Sequence, residues 1–140
     1  MKVLFICHGN VNRSAAAEII AKKDYPHLEI KSCGLKTTNG KITAKKMRDV
    51  LNDFGYKTEG IRSTVATKEL VEWADKIFYM DDANEKRFNA QFGEMDKAEK
   101  LSNFVPGIKK IPDPAFADGN EMHKQVVQLI RSALYKWITG

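Results

Sequence analysis

The sequence lacks any apolar run that approaches the about 20 residues needed to cross a bilayer. It also lacks the features of an exported protein, because the opening segment Met1–Cys7 is too short for the core of a signal peptide and contains no small-residue cleavage site. We therefore expect a cytoplasmic protein that has no membrane partner.

Cysteine and histidine are scarce, which argues against a disulfide framework and against a metal site. The two cysteines, Cys7 and Cys33, can form at most one disulfide, and neither belongs to a CxxC pair. In a chain without an export signal, both are expected to be reduced thiols. The three histidines, His8, His27 and His123, are not spaced as metal ligands. We therefore predict no metal site and no cofactor.

Neither sign of charge is in large excess. The chain has 23 basic and 18 acidic residues, which gives a formal net charge of +5. This excess suits an anionic ligand, and it equally suits ordinary solubility. The lysines occur as short pairs on amphipathic segments, namely Lys22-Lys23, Lys45-Lys46 and Lys109-Lys110. Such pairs are typical of solvated helix faces, so we predict no nucleic-acid partner.

Strand and helix patterns alternate along the chain. Lys2–Cys7 is a nearly continuous apolar run, which is typical of a strand buried on both faces of a parallel sheet. After a glycine-containing turn, apolar residues at helical spacing predict a helix over Ser14–Lys23. Further strands are predicted at Leu28–Cys33, Lys76–Met80 and Leu101–Phe104, and further helices at Ala44–Phe54, Thr67–Trp73, Asp81–Phe92 and Met122–Trp137.

This alternation predicts an α/β fold with three layers, α/β/α, in which a four-stranded parallel sheet has helices on both faces. Because there is no internal repeat, low-complexity tract or linker, we expect a single domain over residues 1–140. In such sheets the ligand crevice lies beyond the carboxyl ends of the strands. Cys7 ends the strand that we expect at the centre, so the fold predicts a site there.

The segment that follows this strand has the residue types of a phosphate-binding loop. Backbone N–H groups in a strand-to-helix turn converge on an anion, and the positive end of the helix dipole favours both a phosphate and the thiolate form of Cys7. Arg13 has a planar guanidinium that can grip two phosphoryl oxygens. Gly9 and Asn10 tolerate the left-handed backbone of a tight loop. Ser14 is predicted to cap the helix and to donate a hydrogen bond to the sulfur.

A cysteine at the end of a buried strand is by itself usually a small core residue, and we interpret Cys33 in this way. The glycine, asparagine, arginine and serine that follow Cys7 in register between a strand and a helix favour a different interpretation. We predict that Cys7 is a nucleophile held in an oxyanion-binding loop.

With these motifs, the chain resembles the low-molecular-weight protein tyrosine phosphatases. Their signature of a cysteine, five residues, arginine and serine stands here as Cys7 to Arg13-Ser14, with the internal Gly9-Asn10. A second motif near the C-terminus, Asp-Pro followed by aromatic residues, stands as Asp113-Pro114-Ala115-Phe116. Two shorter matches are Ser32-Cys33-Gly34 and Met80-Asp81, so that the resemblance covers nearly the whole chain in the same element order.

The resemblance implies a metal-independent phosphatase with a phosphocysteine intermediate on Cys7, Arg13 as the phosphate clamp and Asp113 as general acid and base. The partner would be a phosphorylated protein, most simply a phosphotyrosine protein, or a small phosphoester, with inorganic phosphate or another oxyanion also able to occupy the loop. The substrate-binding residues that it implies are His8, Gly9, Asn10, Val11, Asn12, Ser14 and Phe116.

Asp113 is a reasonable acid independently of the family, because Pro112 and Pro114 restrict the backbone on both of its sides. An Asp-Pro pair alone, however, is an ordinary turn signal. Its catalytic role is therefore an expectation that depends on the resemblance.

The chain departs from the family pattern at several positions around the loop. Asn12 replaces a second cysteine that is often present, so disulfide protection of an oxidised nucleophile is not expected. A hydroxyl-bearing residue at the position of Val11 occurs in relatives that select phosphoarginine, so Val11 favours phosphotyrosine. Ala115 leaves Phe116 as the one aromatic after Asp-Pro, which indicates a wider slot. His8 either contacts the substrate or is simply exposed.

Other functions use a similar loop. An arsenate reductase of the same fold passes electrons through further cysteines, which are absent beyond Cys33. A phosphocysteine carrier of a sugar-transport system needs neither Arg13 nor Asp113. A non-catalytic phosphate-binding module is a further alternative, and phosphotyrosine, phosphoarginine and small phosphoesters all stay open as substrates.

Overall fold

Four segments of the chain form one parallel sheet in the computed structural model, which describes residues 1–140. The strands are β1 (Lys2–Cys7), β2 (Glu29–Gly34), β3 (Lys76–Tyr79) and β4 (Ala98–Lys100), and their order in the sheet is β2-β1-β3-β4. All three strand pairs are parallel. The strand that ends at Cys7 is therefore central, as predicted.

Five α-helices connect and cover these strands. They are α1 (Arg13–Asp24), α2 (Lys45–Asp53), α3 (Lys68–Trp73), α4 (Asp82–Phe92) and α5 (Glu121–Thr139). Each helix bound lies within a few residues of its predicted position. Thr67 caps α3 as expected, since its hydroxyl accepts a hydrogen bond of 3.2 Å from the backbone N–H of Leu70. None of these helices combines the length and apolarity needed to span a membrane.

The sheet has a hydrophobic core on each face, which confirms the predicted three-layer α/β/α fold. Alternate residues of β1 point to opposite faces: Val3, Phe5 and Cys7 belong to the larger core, and Leu4 and Ile6 to the smaller one. The larger core also contains side chains of α1, α2 and α5, whereas the smaller core contains side chains of α3 and α4.

The prediction of a strand at Leu101–Phe104 is wrong, because this segment forms a single turn of 3₁₀ helix. Its apolar side chains pack into the larger core, where the rings of Phe104 and Phe78 meet edge to face at 5.9 Å. The fourth strand lies just before it, at Ala98–Lys100, and pairs with β3 at the edge of the sheet. Its three half-buried residues carry no apolar alternation, so no sequence pattern marked them as a strand.

Gly34 at the end of β2 brings this strand close to the loop that follows β1. A Cβ atom at this position would lie 2.8 Å from Thr37 Cγ2 and 2.9 Å from the carbonyl oxygen of His8, both closer than such atoms can approach. The backbone of Lys36 then donates a hydrogen bond of 2.9 Å to the same carbonyl. The glycine therefore allows the β2 end to support the candidate loop.

Candidate active site

The loop between β1 and α1 consists of residues 8–12 and curls over the sulfur of Cys7. The loop turns at Asn10, the one non-glycine residue of the chain with a positive φ, at 57°. In this conformation the backbone N–H of Asn10 donates to Cys7 Sγ at 3.3 Å. Of the two residues expected to tolerate left-handed backbone, Asn10 adopts it, whereas the φ of Gly9 is not positive.

Ser14, in the first turn of α1, contacts the same sulfur, with 2.8 Å between Ser14 Oγ and Cys7 Sγ. Because Asn10 Nδ2 donates to Ser14 Oγ at 2.7 Å, the serine proton is free to point at the sulfur. The predicted capping role of Ser14 is wrong: α1 begins one residue earlier, with Asn12 at the N-cap position, and has no side-chain cap. The hydroxyl of Ser14 is already committed to the two loop contacts.

Arg13 is almost completely buried, with 3% of its side chain exposed, and is held in place by two acceptors. Its Nη1 donates to Asp81 Oδ2 at 2.7 Å and to the carbonyl oxygen of Ile111 at 2.9 Å. Its Nη2 lies 3.8 Å from Asp113 Oδ2. One edge of the guanidinium is thus anchored to the fold, which orients the remaining N–H groups.

The anchor, Asp81, is kept ionised by its neighbours. Burial alone would raise the pKa of Asp81, but the hydrogen bonds from Arg13 and from the backbone N–H of Asn84 outweigh it and lower the pKa below its usual range. Asp81 is also the N-cap of α4 and directly follows the strand β3 and Met80. It is a functional candidate to which sequence analysis gave no role; its position just beyond the end of a central strand was the available signal.

We expect Asp81→Ala to lower the free energy of unfolding by about 3 kcal/mol, because it leaves the guanidinium of Arg13 buried without its close counter-charge. Urea unfolding measures this. The matched control is Asp82→Ala, which breaks a pair with Lys100 in which the Asp82 side chain is 84% exposed and should cost about 1 kcal/mol or less. Equal losses in the two variants would contradict the anchoring role.

Asp113 lies on the loop that leads into α5, and three contacts fix this loop. Asp113 Oδ1 accepts a hydrogen bond of 3.0 Å from the N–H of Ala115, which closes a tight turn. The backbone N–H of Ile111 donates to the carbonyl oxygen of Met80 at 2.8 Å, and Lys46 Nζ donates to the carbonyl oxygen of Ala117 at 2.8 Å. The loop is therefore tied to both β3 and α2.

One cavity of ≈ 190 Å³ joins residues 7–13 to Asp113, Ala115 and Phe116. Every residue predicted for the site lines this cavity except Ser14, which contacts Cys7 from behind. Half of the Asp113 side chain is exposed to solvent, and Phe116 is 99% exposed, so that its ring stands free beside the opening. A larger cavity of ≈ 930 Å³ between α1 and α5 contains none of the predicted residues.

Three buried side chains each have one polar atom without a hydrogen-bond partner, namely Asn12 Oδ1, Thr43 Oγ1 and His123 Nδ1. Burial lowers the pKa of His123, and the charge of Lys46 lowers it further, whereas Asp113 opposes these effects. The imidazole therefore favours its neutral form in the folded protein.

Stability is consequently expected to fall as the pH falls below about 6.5, the ordinary His pKa, because the unfolded chain then binds a proton that folded His123 resists. Above that pH the contribution is constant. Urea unfolding at pH 7.5 and 5.5 should give a smaller pH dependence in His123→Gln than in the wild type. The same substitution at the exposed His27 is the control and should change nothing. A His123→Gln variant with the wild-type pH dependence would contradict the assignment.

Comparison with known proteins adds an independent finding. The family model described as "Low molecular weight phosphotyrosine protein phosphatase" matches residues 2–140. Low molecular weight protein-tyrosine-phosphatase PtpB of Staphylococcus epidermidis is 28% identical over 125 residues, covering 89% of this chain and 88% of the relative. A protein-arginine-phosphatase of Geobacillus stearothermophilus is 32% identical over 116 residues, 81% of this chain and 78% of the relative.

The fold is also found among solved structures. The crystal structure of a low molecular weight protein tyrosine phosphatase from T. tengcongensis superposes with a TM-score of 0.90 at 26% identity, covering 99% of this chain and 97% of that one. The similarity therefore extends over the complete sheet, its helices and the loops at the carboxyl ends of the strands.

Proposed function

Because this chain belongs to the low molecular weight phosphotyrosine protein phosphatase family, we propose that it hydrolyses phosphomonoesters, and protein phosphotyrosine in particular, through a phosphocysteine intermediate on Cys7. The observation that carries this proposal is the single cavity that places Cys7 Sγ, the guanidinium of Arg13 and the carboxylate of Asp113 around one small volume.

In the first step, the Cys7 thiolate attacks phosphorus and the P–O bond to the leaving group breaks. The N–H of Asn10, 3.3 Å from Cys7 Sγ, and the hydroxyl of Ser14, 2.8 Å from it, are placed to form hydrogen bonds to the attacking sulfur. Arg13 and the loop amides bind the equatorial phosphoryl oxygens. Asp113 gives its proton to the leaving oxygen, so that tyrosine departs as the neutral phenol.

In the second step, a water molecule attacks phosphorus, the S–P bond breaks and Cys7 leaves as a thiolate. Asp113, now ionised, accepts the proton of the attacking water. The hydroxyl of Ser14, 2.8 Å from the sulfur, can donate a hydrogen bond to the departing thiolate, which only accepts. The products are inorganic phosphate and the enzyme in its starting state. Arg13 and the loop amides supply the charge stabilisation in both steps.

The opening of the cavity supports a flat aromatic substrate. Phe116 stands free at the entrance and offers a face for a phenyl ring, and Val11 gives the cavity an apolar lining. Phosphoarginine is the second candidate substrate, because one relative with 32% identity is a protein-arginine-phosphatase. The two substrates differ in the group that would lie beside Phe116 and Val11, which is a phenyl ring in phosphotyrosine and a guanidinium in phosphoarginine.

A comparison of phosphotyrosine, phosphoarginine and phosphoserine peptides of equal sequence, with a chelator present, tests the proposal. We expect the highest kcat/KM with phosphotyrosine. Val11→Thr is the matched variant, and it should shift the ratio toward phosphoarginine by placing a hydroxyl in the cavity. If the wild type prefers phosphoarginine, phosphoarginine replaces phosphotyrosine as the proposed substrate. If the protein binds phosphate but turns over none of the peptides, the proposed function is overturned.

We also propose that residues 1–140 form one folding domain, since both hydrophobic cores are built on the same sheet. A single cooperative transition, seen at the same urea concentration by fluorescence and by circular dichroism, is expected. Two separate transitions would contradict it. The cytoplasmic location and the absence of membrane and nucleic-acid partners stay predictions.

A further inference from the structure

Cys7 is connected to Glu18, one helical turn beyond Ser14 on the same face of α1, by an unbroken series of hydrogen bonds. Asn10 Nδ2 donates both to Ser14 Oγ at 2.7 Å and to Ser32 Oγ at 2.9 Å. Ser32 Oγ in turn donates to Glu18 Oε1 at 2.5 Å. We call the path that runs from Cys7 through Ser14, Asn10 and Ser32 to Glu18 the relay.

The direction of the hydrogen bonds that Asn10 makes in the relay follows from the partner of its amide oxygen. Asn10 Oδ1 accepts a hydrogen bond of 2.8 Å from the backbone N–H of Thr64, a group that can only donate, so Asn10 Nδ2 must face the two serines. Each serine oxygen therefore accepts a hydrogen bond from Asn10, and the proton of each hydroxyl is directed to another partner. Ser32 donates to Glu18, and Ser14 can donate to Cys7 Sγ when the sulfur is a thiolate, because a thiolate can only accept.

Glu18 is suited to the outer end because a carboxylate can only accept. Its side chain is 11% exposed, and its second oxygen is paired with Lys22 Nζ at 2.5 Å. Ser14, Glu18 and Lys22 are each four residues apart, so they form one stripe along α1. A buried carboxylate in a helix that is otherwise mostly alanine and isoleucine is costly to maintain, and Lys22 compensates this cost.

We propose that Glu18 is a positioning residue for Cys7: by accepting a hydrogen bond from Ser32, it keeps the Ser32 oxygen turned toward Asn10, which together with the N–H of Thr64 holds the Asn10 amide against the hydroxyl of Ser14. The proposal rests on the proposed function, because the aligned hydroxyl matters for a sulfur that attacks and later leaves. Without an acceptor at position 18, the Ser32 hydroxyl has no partner for its proton. The hydroxyl then rotates toward Asn10, where its proton opposes the N–H that Asn10 donates to Ser32 Oγ.

A merely structural role for Glu18 would join α1 to β2 through Ser32 without affecting the sulfur. The two roles differ in whether the effect of Glu18 passes through Ser14. A double-mutant cycle between Glu18→Leu and Ser14→Ala separates them, because residues that act through one path have non-additive effects. Leucine has a similar length and cannot accept a hydrogen bond.

Two rates are measured for each variant, turnover of p-nitrophenyl phosphate and inactivation of Cys7 by iodoacetate at pH 6. Ser14→Ala removes one hydrogen bond to a charged sulfur and is expected to slow both rates roughly tenfold. Glu18→Leu leaves this hydrogen bond in place but misaligned, and is expected to slow both rates roughly threefold. The double variant should match Ser14→Ala alone. Independent effects, which multiply in the double variant, would overturn the proposal.

Matched variants guard against simple loss of folding. Glu18→Gln keeps an acceptor oxygen and should restore most of both rates, whereas Ser32→Ala breaks the relay at the next link and should resemble Glu18→Leu. Glu72→Leu, in the exposed helical pair Lys68–Glu72, is the distant control and should behave as wild type. A Glu18→Gln variant as slow as Glu18→Leu, in proteins with equal melting temperatures, would also overturn the proposal.

The two readouts keep this proposal distinguishable from the proposed function. If the wild type did not hydrolyse p-nitrophenyl phosphate, the proposed function would fail. The iodoacetate rates would still decide whether Glu18 acts on the sulfur through Ser14, because alkylation needs the thiolate and not turnover.

Discussion

Cys7→Ser is expected to lower turnover of p-nitrophenyl phosphate by roughly 10⁴-fold or more while the protein stays folded. The physical reason is that a serine hydroxyl is a far weaker nucleophile than a cysteine sulfur, and the loop contains no base that could activate it. The nearest side chain, Ser14, donates toward the sulfur, and Asp113 lies beside Arg13. A serine at position 7 would therefore stay protonated and weakly nucleophilic.

The measurement is steady-state turnover in the presence of a chelator, with vanadate binding as the check that the loop is intact. Cys33→Ala is the matched control. Burial raises the pKa of the Cys33 thiol, with a smaller contribution from Cys7, and its side chain belongs to the core on the other face of the sheet. Cys33→Ala should therefore turn over at the wild-type rate. Retained activity in Cys7→Ser would assign the chemistry to a different group.

Asp113→Asn is expected to lower kcat by roughly 10²- to 10³-fold, because the amide cannot give a proton to the leaving oxygen. The substitution keeps the size of the side chain and an acceptor oxygen for the N–H of Ala115, so the tight turn is preserved. Removing a negative charge 3.8 Å from Arg13 also leaves the cavity more favourable for an oxyanion. Vanadate affinity should consequently be retained or improved.

The dependence on the leaving group distinguishes a lost acid from a distorted site. Phenyl phosphate, whose leaving group needs protonation, should lose more activity than p-nitrophenyl phosphate, whose leaving group departs readily as an anion. Asp118→Asn, on the same exposed loop, is the control and should leave both rates unchanged. Equal losses of turnover and of vanadate affinity in Asp113→Asn would mean that Asp113 has a structural role only.

Local sequence determined the parts of this protein whose geometry depends on neighbours in the chain. The apolar run of β1, the tight turn at Asn10 and the start of α1 within one residue of its predicted position follow from backbone preferences and apolar spacing. The edge strand β4 was missed for the complementary reason. Ala98–Lys100 becomes a strand through pairing with the backbone of β3, and its side chains carry no pattern of their own.

Side-chain partners were decided by the tertiary structure alone. Asp81 anchors Arg13 across 68 residues of sequence, and Thr64 fixes the amide of Asn10 across 54. These pairs meet because parallel strands with crossover helices bring their carboxyl ends to one edge of the sheet, and the register between strands sets which side chains face each other. Ser32 and Glu18 meet for a different tertiary reason, because α1 packs against β2. The sequence therefore determined which residue could be the nucleophile, and the tertiary structure decided which groups hold and orient it, because hydrogen-bond direction depends on partners that no local pattern contains.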